Sequence, residues 1–337
     1  MKICYFLAAA VLAASAHAQR IDIGWPTPNP AYFEGKPISD FIQPTAAGEV
    51  ESGLFGCRRS GGAQFHEGLD LKPLNRDRKG EPTDPVFSAM NGVVRYVGRI
   101  PGNSNYGRYI VIEHPDVEPA IYTLYAHLAA IAPGLNTGDT VTRGQAIGTM
   151  GRSSSTQAIP RERAHVHFEM GVMLTRDFDS WFDWKKFGSH NQQGIWNGMN
   201  LCGFDPLDFY NEFRARRVDT FRDYFAHMQP AVRLRIATRR IPDYVQRYPA
   251  LLTKPMPTDG LIGGWELCVN EMGLPFSFTP LTPMEVMSLA PNELRVVDAD
   301  ATILKQHRCR SLVFSRRGTW AIGHDLQEVL QLVFGLR

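Results

Sequence analysis

Two histidine-bearing segments hold the residue types from which a catalytic or metal site is built. In Phe65-His66-Glu67-Gly68-Leu69-Asp70, an imidazole and a carboxylate stand four residues apart, on one face of a strand or of a helical turn. Fully extended they would be roughly 13 Å apart, too far to share an ion, so the chain must bend between them. Gly68 is the residue best able to bend there. In Ala164-His165-Val166-His167-Phe168-Glu169, strand alternation turns His165, His167 and Glu169 to one side and Val166 and Phe168 to the other. Two imidazoles at i, i+2 on an otherwise apolar strand point to metal binding or catalysis. A third segment, Tyr122-Thr123-Leu124-Tyr125-Ala126-His127-Leu128, reads as a strand ending in a histidine and says little by itself.

The elements that must position these residues read as β-structure. From Pro85 to Val172, short apolar runs are cut by turns. Pro85–Met90 and Val93–Val97 flank Asn91-Gly92, a strong hairpin signal, and Tyr109–Glu113, Ile121–His127 and His165–Val172 read as further strands. With no long helical pattern between them, an antiparallel sheet or sandwich is expected. An aromatic, Asn- and Gly-rich stretch near 175–203 reads as an insertion or long loop. Residues 206–228 carry apolar side chains at helical spacing. The remainder mixes short strands (Leu234–Thr238, Trp265–Val269, Leu294–Val297, Ser311–Phe314) with a final helix over Asp325–Val333, an α+β pattern. Two domains are expected to divide near residue 212, after a Pro- and Gly-rich lead-in over 19–50.

The chain has 337 residues with 36 Lys+Arg, 34 Asp+Glu and 44% hydrophobic residues. That length holds about two domains, and the near-balanced charge argues against disorder and against nucleic-acid binding through bulk charge. Residues 213–337 carry 17 Lys+Arg and 12 Asp+Glu, net +5, whereas residues 19–212 carry 18 and 22, net −4. The basic run Arg233, Arg235, Arg239 and Arg240 marks the C-terminal domain as a surface for a protein partner or an anionic surface, or as a solvated face. Lys2, the apolar run Ile3 to Ala14 and Ser15-Ala16-His17-Ala18 have the pattern of a cleaved export signal over 1–18, with no transmembrane segment elsewhere. Export places the protein in the periplasm or outside the cell. Cys4 falls inside the apolar run, which argues against a lipid anchor. Four cysteines then remain, and pairing within each domain would give Cys57–Cys202 and Cys268–Cys309; four buried thiols are the alternative.

In this order and spacing, the three histidine segments resemble the lysostaphin/LytM-like zinc metallopeptidases. The surrounding residues agree: Ser52-Gly53-Leu54-Phe55-Gly56-x-Arg58, Phe65-His66-x-Gly68-x-Asp70, and Val86-x-x-Ala89-x-x-Gly92-x-Val94. They continue with Tyr109-x-Val111-Ile112-x-His114, Tyr125-x-His127-Leu128, Gly144-Gln145-x-Ile147-Gly148 and His165-x-His167-Phe168-Glu169. The match runs from about 51 to 172, and Asp205-Pro206 resembles the family's closing segment. The resemblance implies a mainly β catalytic domain of the duplicated hybrid motif type over 51–212, followed by a smaller α+β domain over 213–337. It implies one Zn2+ bound by His66, Asp70 and His167, with His127 and His165 lining the reaction site. Two imidazoles and a carboxylate leave a tetrahedral zinc one open position, as in catalytic sites. Glu169 would support a ligand from behind. Glu67 and Glu169 are candidate proton-transfer groups, and His114 is read as structural.

The function implied is an exported zinc metalloendopeptidase that cuts peptide bonds in cell-wall peptidoglycan by a zinc-activated water. The alternative is a non-catalytic relative that binds wall peptides or activates a wall amidase. A His-rich carboxypeptidase would show a wider His-to-Asp gap and a Glu-x-x-His segment, and a biotinyl or lipoyl carrier would need a Lys at the Gly144–Gly148 turn; neither is found. Two stretches depart from the family pattern at the edge of the cleft: the polar segment Asn75-Arg76-Asp77-Arg78-Lys79-Gly80-Glu81, and Arg152-Ser153-Ser154-Ser155 with the loop leading to Ala164.

Overall fold

A computed structural model describes residues 20–257 and 260–337. The expected export signal over 1–18 lies outside the described residues. Among those described, no helix is long and apolar enough to cross a membrane.

The N-terminal half is built from twelve short strands. These are β1 (Gly56–Arg59), β2 (Gln64–His66), β3 (Leu69–Leu71), β4 (Pro85–Phe87), β5 (Gly92–Gly98) and β6 (Tyr109–His114). They continue as β7 (Ile121–Ala126), β8 (Ala130–Ile131), β9 (Thr140–Val141), β10 (Ala146–Thr149), β11 (Val166–Met173) and, after helix α1 (Phe178–Lys185), β12 (Leu201–Phe204). The main sheet is antiparallel in the order β12-β11-β7-β6-β5-β9, with β3 also paired to β11. A smaller sheet, β4-β10-β8, packs beside it, and β1 and β2 form a separate hairpin. Strand β11 is buried along its whole length, because Val166, Phe168 and Met170 enter the core while His167 and Glu169 face a covered cleft. Burying one side chain the size of Phe168 contributes on the order of 2 kcal/mol, which fixes this strand and so the direction of its histidine.

The Asn91-Gly92 hairpin does not form. β4 pairs with β10 and β5 pairs with β6 and β9, so the strands flanking Asn91 belong to different sheets. Gly92 is needed there for close packing, since a Cβ would overlap the Glu113 carbonyl oxygen.

The helical stretch over 206–228 divides into α2 (Pro206–Arg214) and α3 (Phe221–His227). Asp205 caps α2 by accepting from the Leu207 and Asp208 amides, and a Thr220–Asp223 capping box starts α3 afresh. Next come β13 (Val232–Ile236), α4 (Asp243–Arg247), β14 (Gly264–Val269), β15 (Pro275–Leu281), β16 (Leu294–Ala299) and α5 (Ala301–Gln306). The chain ends with β17 (Val313–Arg316), β18 (Thr319–Ile322) and α6 (His324–Phe334). An antiparallel sheet β15-β14-β13-β16 forms the centre of this half. The expected long loop near 175–203 contains α1, whose Trp181 indole donates to Gln331 of α6 at 3.2 Å. One apolar cluster runs from Trp25 and Phe41 through Ile110 and Phe168 to Leu234 and Phe334. The Pro-rich lead-in belongs to it: Trp25 stacks on Tyr32 with ring centroids 4.7 Å apart, and the Tyr210 hydroxyl donates to Gly24 O at 2.5 Å.

Cysteine pairing corrects the sequence expectation. Cys57 bonds Cys309, 252 residues away, with Cα atoms 5.5 Å apart, while Cys202 and Cys268 are free. The C-terminal half packs against the β1–β2 hairpin, so Cys57 meets a cysteine from beyond the assumed boundary. Cys202 is buried on β12, and Cys268 is half-buried on β14. The basic run is largely engaged within the chain: Arg235 pairs with Glu266 at 2.7 Å and Arg240 donates to Phe334 O at 2.8 Å.

Candidate metal centre

Three elements bring the donors together. β2 ends at His66 and β3 begins at Leu69, so the chain turns between them as the spacing required. Gly68 is needed at this turn because a Cβ would overlap the Phe168 carbonyl oxygen on β11. β3 then pairs antiparallel with β11, with Asp70 directly opposite His167. The result is a triangle of donor atoms. His66 Nε2 lies 3.0 Å from His167 Nδ1, and Asp70 Oδ1 lies 3.1 Å from each.

The triangle fits a zinc ion. Ligand atoms on a tetrahedral ion with bonds of about 2.0–2.1 Å stand about 3.3 Å apart. The remaining polar atoms of each donor are occupied in a way that leaves the inner atom free. His66 Nδ1–H donates to Leu54 O at 2.9 Å, and His167 Nε2–H donates to Glu169 Oε1 at 2.9 Å. Asp70 Oδ2 accepts from Arg59 Nη2 at 2.6 Å. Each hydrogen bond fixes the tautomer or rotamer of a donor, as the partners behind metal ligands do. Among the described residues these three are the one group of His, Cys, Asp or Glu close enough together to hold an ion.

The electrostatics also favour a cation. Burial disfavours an ionised Asp70, but the imidazoles of His165, His66 and His167 outweigh it and hold the carboxyl well below its usual range. Burial also disfavours a charged His167, yet Asp70 and Glu169 raise its pKa to about 10. Two buried carboxylates therefore draw positive charge to the point where the donors converge. Glu169 is itself held, since the Tyr122 hydroxyl donates to its Oε2 at 3.0 Å. Burial and the Glu169 carboxylate keep the Tyr106 and Tyr122 phenols well above their usual range, so both stay protonated.

His127 and His165 sit on the same cleft, with ring centroids 4.9 Å apart. His165 Nε2 lies 3.3 Å from Asp70 Oδ1, and the His127 ring lies 5.9 Å from that of His167. Each anchors its Nδ1–H on a backbone carbonyl, His127 on Ser153 O at 2.8 Å and His165 on Arg163 O at 2.7 Å. Each thereby offers Nε2 for chemistry. His127 has φ +60°, a left-handed backbone uncommon outside glycine, immediately after β7 ends. Burial, then the neighbouring His165 and His167, push its pKa well below the usual value. The cleft is a cavity of about 290 Å3 lined by these five residues with Arg59, Tyr106, Ile159 and Arg163. Glu67 lies exposed at its edge, and His114 is remote from it, bonded to Asn91 O and to Thr123 Oγ1 at 2.8 Å each.

The two stretches that depart from the family pattern grip each other. Glu81 accepts two hydrogen bonds from Arg152 and one from Arg161, each at 2.8 Å. The Arg152 and Arg161 guanidinium groups hold the Glu81 pKa down to about 2. Sequence reasoning gave no role to Arg59, Tyr106, Tyr122 or Glu81, although it named the stretches that hold Tyr122 and Glu81. Arg58, the arginine that fits the family motif, is exposed, and its neighbour Arg59 reaches Asp70.

No curated protein matches the chain. Among solved structures, a mutant catalytic domain of the prophage-encoded M23 protein EnpA from Enterococcus faecalis is 23% identical, with 39% of this chain and 80% of that one covered and a TM-score of 0.28. A zinc-containing peptidase from Vibrio cholerae is 26% identical, covering 45% and 37%, with a TM-score of 0.30. The catalytic domain of lysostaphin from Staphylococcus simulans is 19% identical, covering 52% and 95%, with a TM-score of 0.31. The assignment rests on the family model of Peptidase family M23, which matches residues 64–177. That segment, which holds the four cleft histidines, Asp70 and Glu169, is thus similar to the peptidase domains of family M23.

Proposed function

We propose that the chain is an exported zinc metalloendopeptidase that hydrolyses peptide bonds in bacterial cell-wall peptidoglycan. The observation that carries this reading is the triangle of His66, Asp70 and His167 donors, with His127 and His165 turned toward the same cavity. The substrate class rests on the lysostaphin/LytM resemblance. When bound at these donors, zinc polarises a carbonyl and brings the pKa of a water down to about 7. His66, Asp70 and His167 hold the ion, with Leu54 O, Arg59 and Glu169 orienting them. His127 and His165 orient the attacking water through Nε2, accept its proton, and stabilise the charge that develops on the carbonyl oxygen. Their fixed Nδ1–H bonds hold both rings ready in this geometry.

Elemental analysis and digestion of sacculi test this together. Wild type is expected to carry one zinc per chain and to release new amino termini from sacculi. His66→Ala or Asp70→Ala should abolish zinc binding, and His127→Ala should stop release while zinc is retained. Full zinc retention in His66→Ala would refute the ligand set. Intact sacculi after treatment with zinc-loaded wild type would refute the substrate class. Mass spectrometry of the released muropeptides names the bond cut.

A further inference from the structure

The loop over 152–163 holds His127 and His165, through Ser153 O and Arg163 O near its two ends. It is fixed from outside by Glu81, through Arg152 and Arg161, and by Arg76, which donates to Arg161 O at 2.6 Å. Within this restrained loop, the side chain of Arg163 stands apart. It is half-buried, lines the cavity that contains the three donors, and makes no hydrogen bond or ion pair among the described residues. Of the carboxylates nearby, Asp70 is paired with Arg59 and Glu81 with Arg152 and Arg161, while Glu67, exposed at the edge of the same cavity, makes no ion pair with it. A guanidinium partly withdrawn from water with its planar fork of donors unused is one half of a carboxylate pair.

We infer that Arg163 is a specificity residue whose guanidinium binds a free carboxylate of the substrate peptide. The site therefore selects acidic wall peptides over their amidated forms. This rests on the peptidase reading above and narrows it to a class of substrate. Because the backbone of Arg163 also anchors His165, the carboxylate is gripped on the wall of the cleft from which His165 acts.

Matched soluble muropeptides, identical except that one carboxylate is free or amidated, provide the test with the full zinc-loaded chain. Wild type should cleave the free form with a kcat/KM about tenfold higher, the scale of one charge-assisted hydrogen bond. Arg163→Gln should bring the ratio of the two kcat/KM values close to one by a larger loss on the free form, and Arg163→Lys should restore part of the preference. Calorimetric titration of the His127→Ala protein with the same pairs reads the preference without cleavage. Equal binding of both forms, or an equal loss on both in Arg163→Gln, overturns the role of Arg163. Discriminating binding with no cleavage by wild type overturns the peptidase reading and leaves the assignment of Arg163 intact.

Discussion

His167 and Glu169, two residues apart on β11, share one face of the strand, and the carboxylate accepts the Nε2–H of the imidazole at 2.9 Å. The bond commits His167 to presenting Nδ1 to the ion site. Glu169→Ala should therefore lower zinc affinity by about 10–100-fold while the fold is kept. Competition with a chelating dye, alongside circular dichroism, measures this; unchanged affinity would show that the strand alone orients the ring.

The Glu81 clamp acts on the same centre from a distance. Removing it in Glu81→Ala frees Arg152 and Arg161, which stand at either end of the loop that holds His127 and His165. With Glu81 partly exposed, the stability loss should be only about 1 kcal/mol. Small displacements of catalytic groups cost far more in rate than in stability, so kcat should fall roughly tenfold with zinc retained. A normal kcat in this variant would show that the loop holds itself.

His114 gives the fold a pH dependence. Burial, partly offset by its bond to Asn91 O, lowers its pKa from the usual 6.5 to about 4. The folded protein thus resists protonation that the unfolded chain accepts. The contribution is complete above pH 6.5 and is lost as pH falls toward 4, reaching at most about 3 kcal/mol. Urea titrations across that range should show a slope that His114→Gln reduces by up to one proton; an unchanged slope would place the titration elsewhere.

The left-handed backbone at His127 separates its chemical role from its structural cost. His127→Gly and His127→Ala should both be inactive, but glycine adopts φ +60° freely. The glycine variant should exceed the alanine variant in stability by about 1 kcal/mol. Thermal melts of the two decide it, and a more stable alanine variant would mean that no strain resides there.

The disulfide predicts a thiol count and a stability. Unfolded without reductant, protein lacking residues 1–18 should show two free thiols, from Cys202 and Cys268. In a chain-entropy account, closing so long a loop stabilises by up to about 5 kcal/mol, so the Cys57→Ser, Cys309→Ser double variant should unfold at clearly lower denaturant. Four titratable thiols would rule the bond out.

What could be read in advance follows from how far each feature reaches along the chain. The strand period of Val166–Met173 and the turn at Gly68 are local, so the facing of His165, His167 and Glu169 and the bend between His66 and Asp70 were legible. The family pattern supplied the order of the β-rich domain. Asn91-Gly92 misled because the signal is local, whereas the partners of β4 and β5 are chosen by packing many residues away. The Cys57–Cys309 pair was hidden for the same reason. Pairing cysteines within halves assumes two separate cores, and a single apolar cluster runs through both. Arg59 rather than Arg58 meets Asp70 because of the irregular register between Cys57 and Arg59 on β1, which composition does not show.

The bond between Cys57 and Cys309 also orders events in time. Cys57 lies on the strand paired with the one that ends at His66, yet its partner is made 252 residues later. At about 5–20 residues per second of synthesis, that interval is roughly 10–50 s. Until Cys309 is made, the hairpin that ends at His66 lacks its covalent tie. The β1–β2 hairpin and the cysteine that ties it down are thus separated in synthesis as well as in sequence.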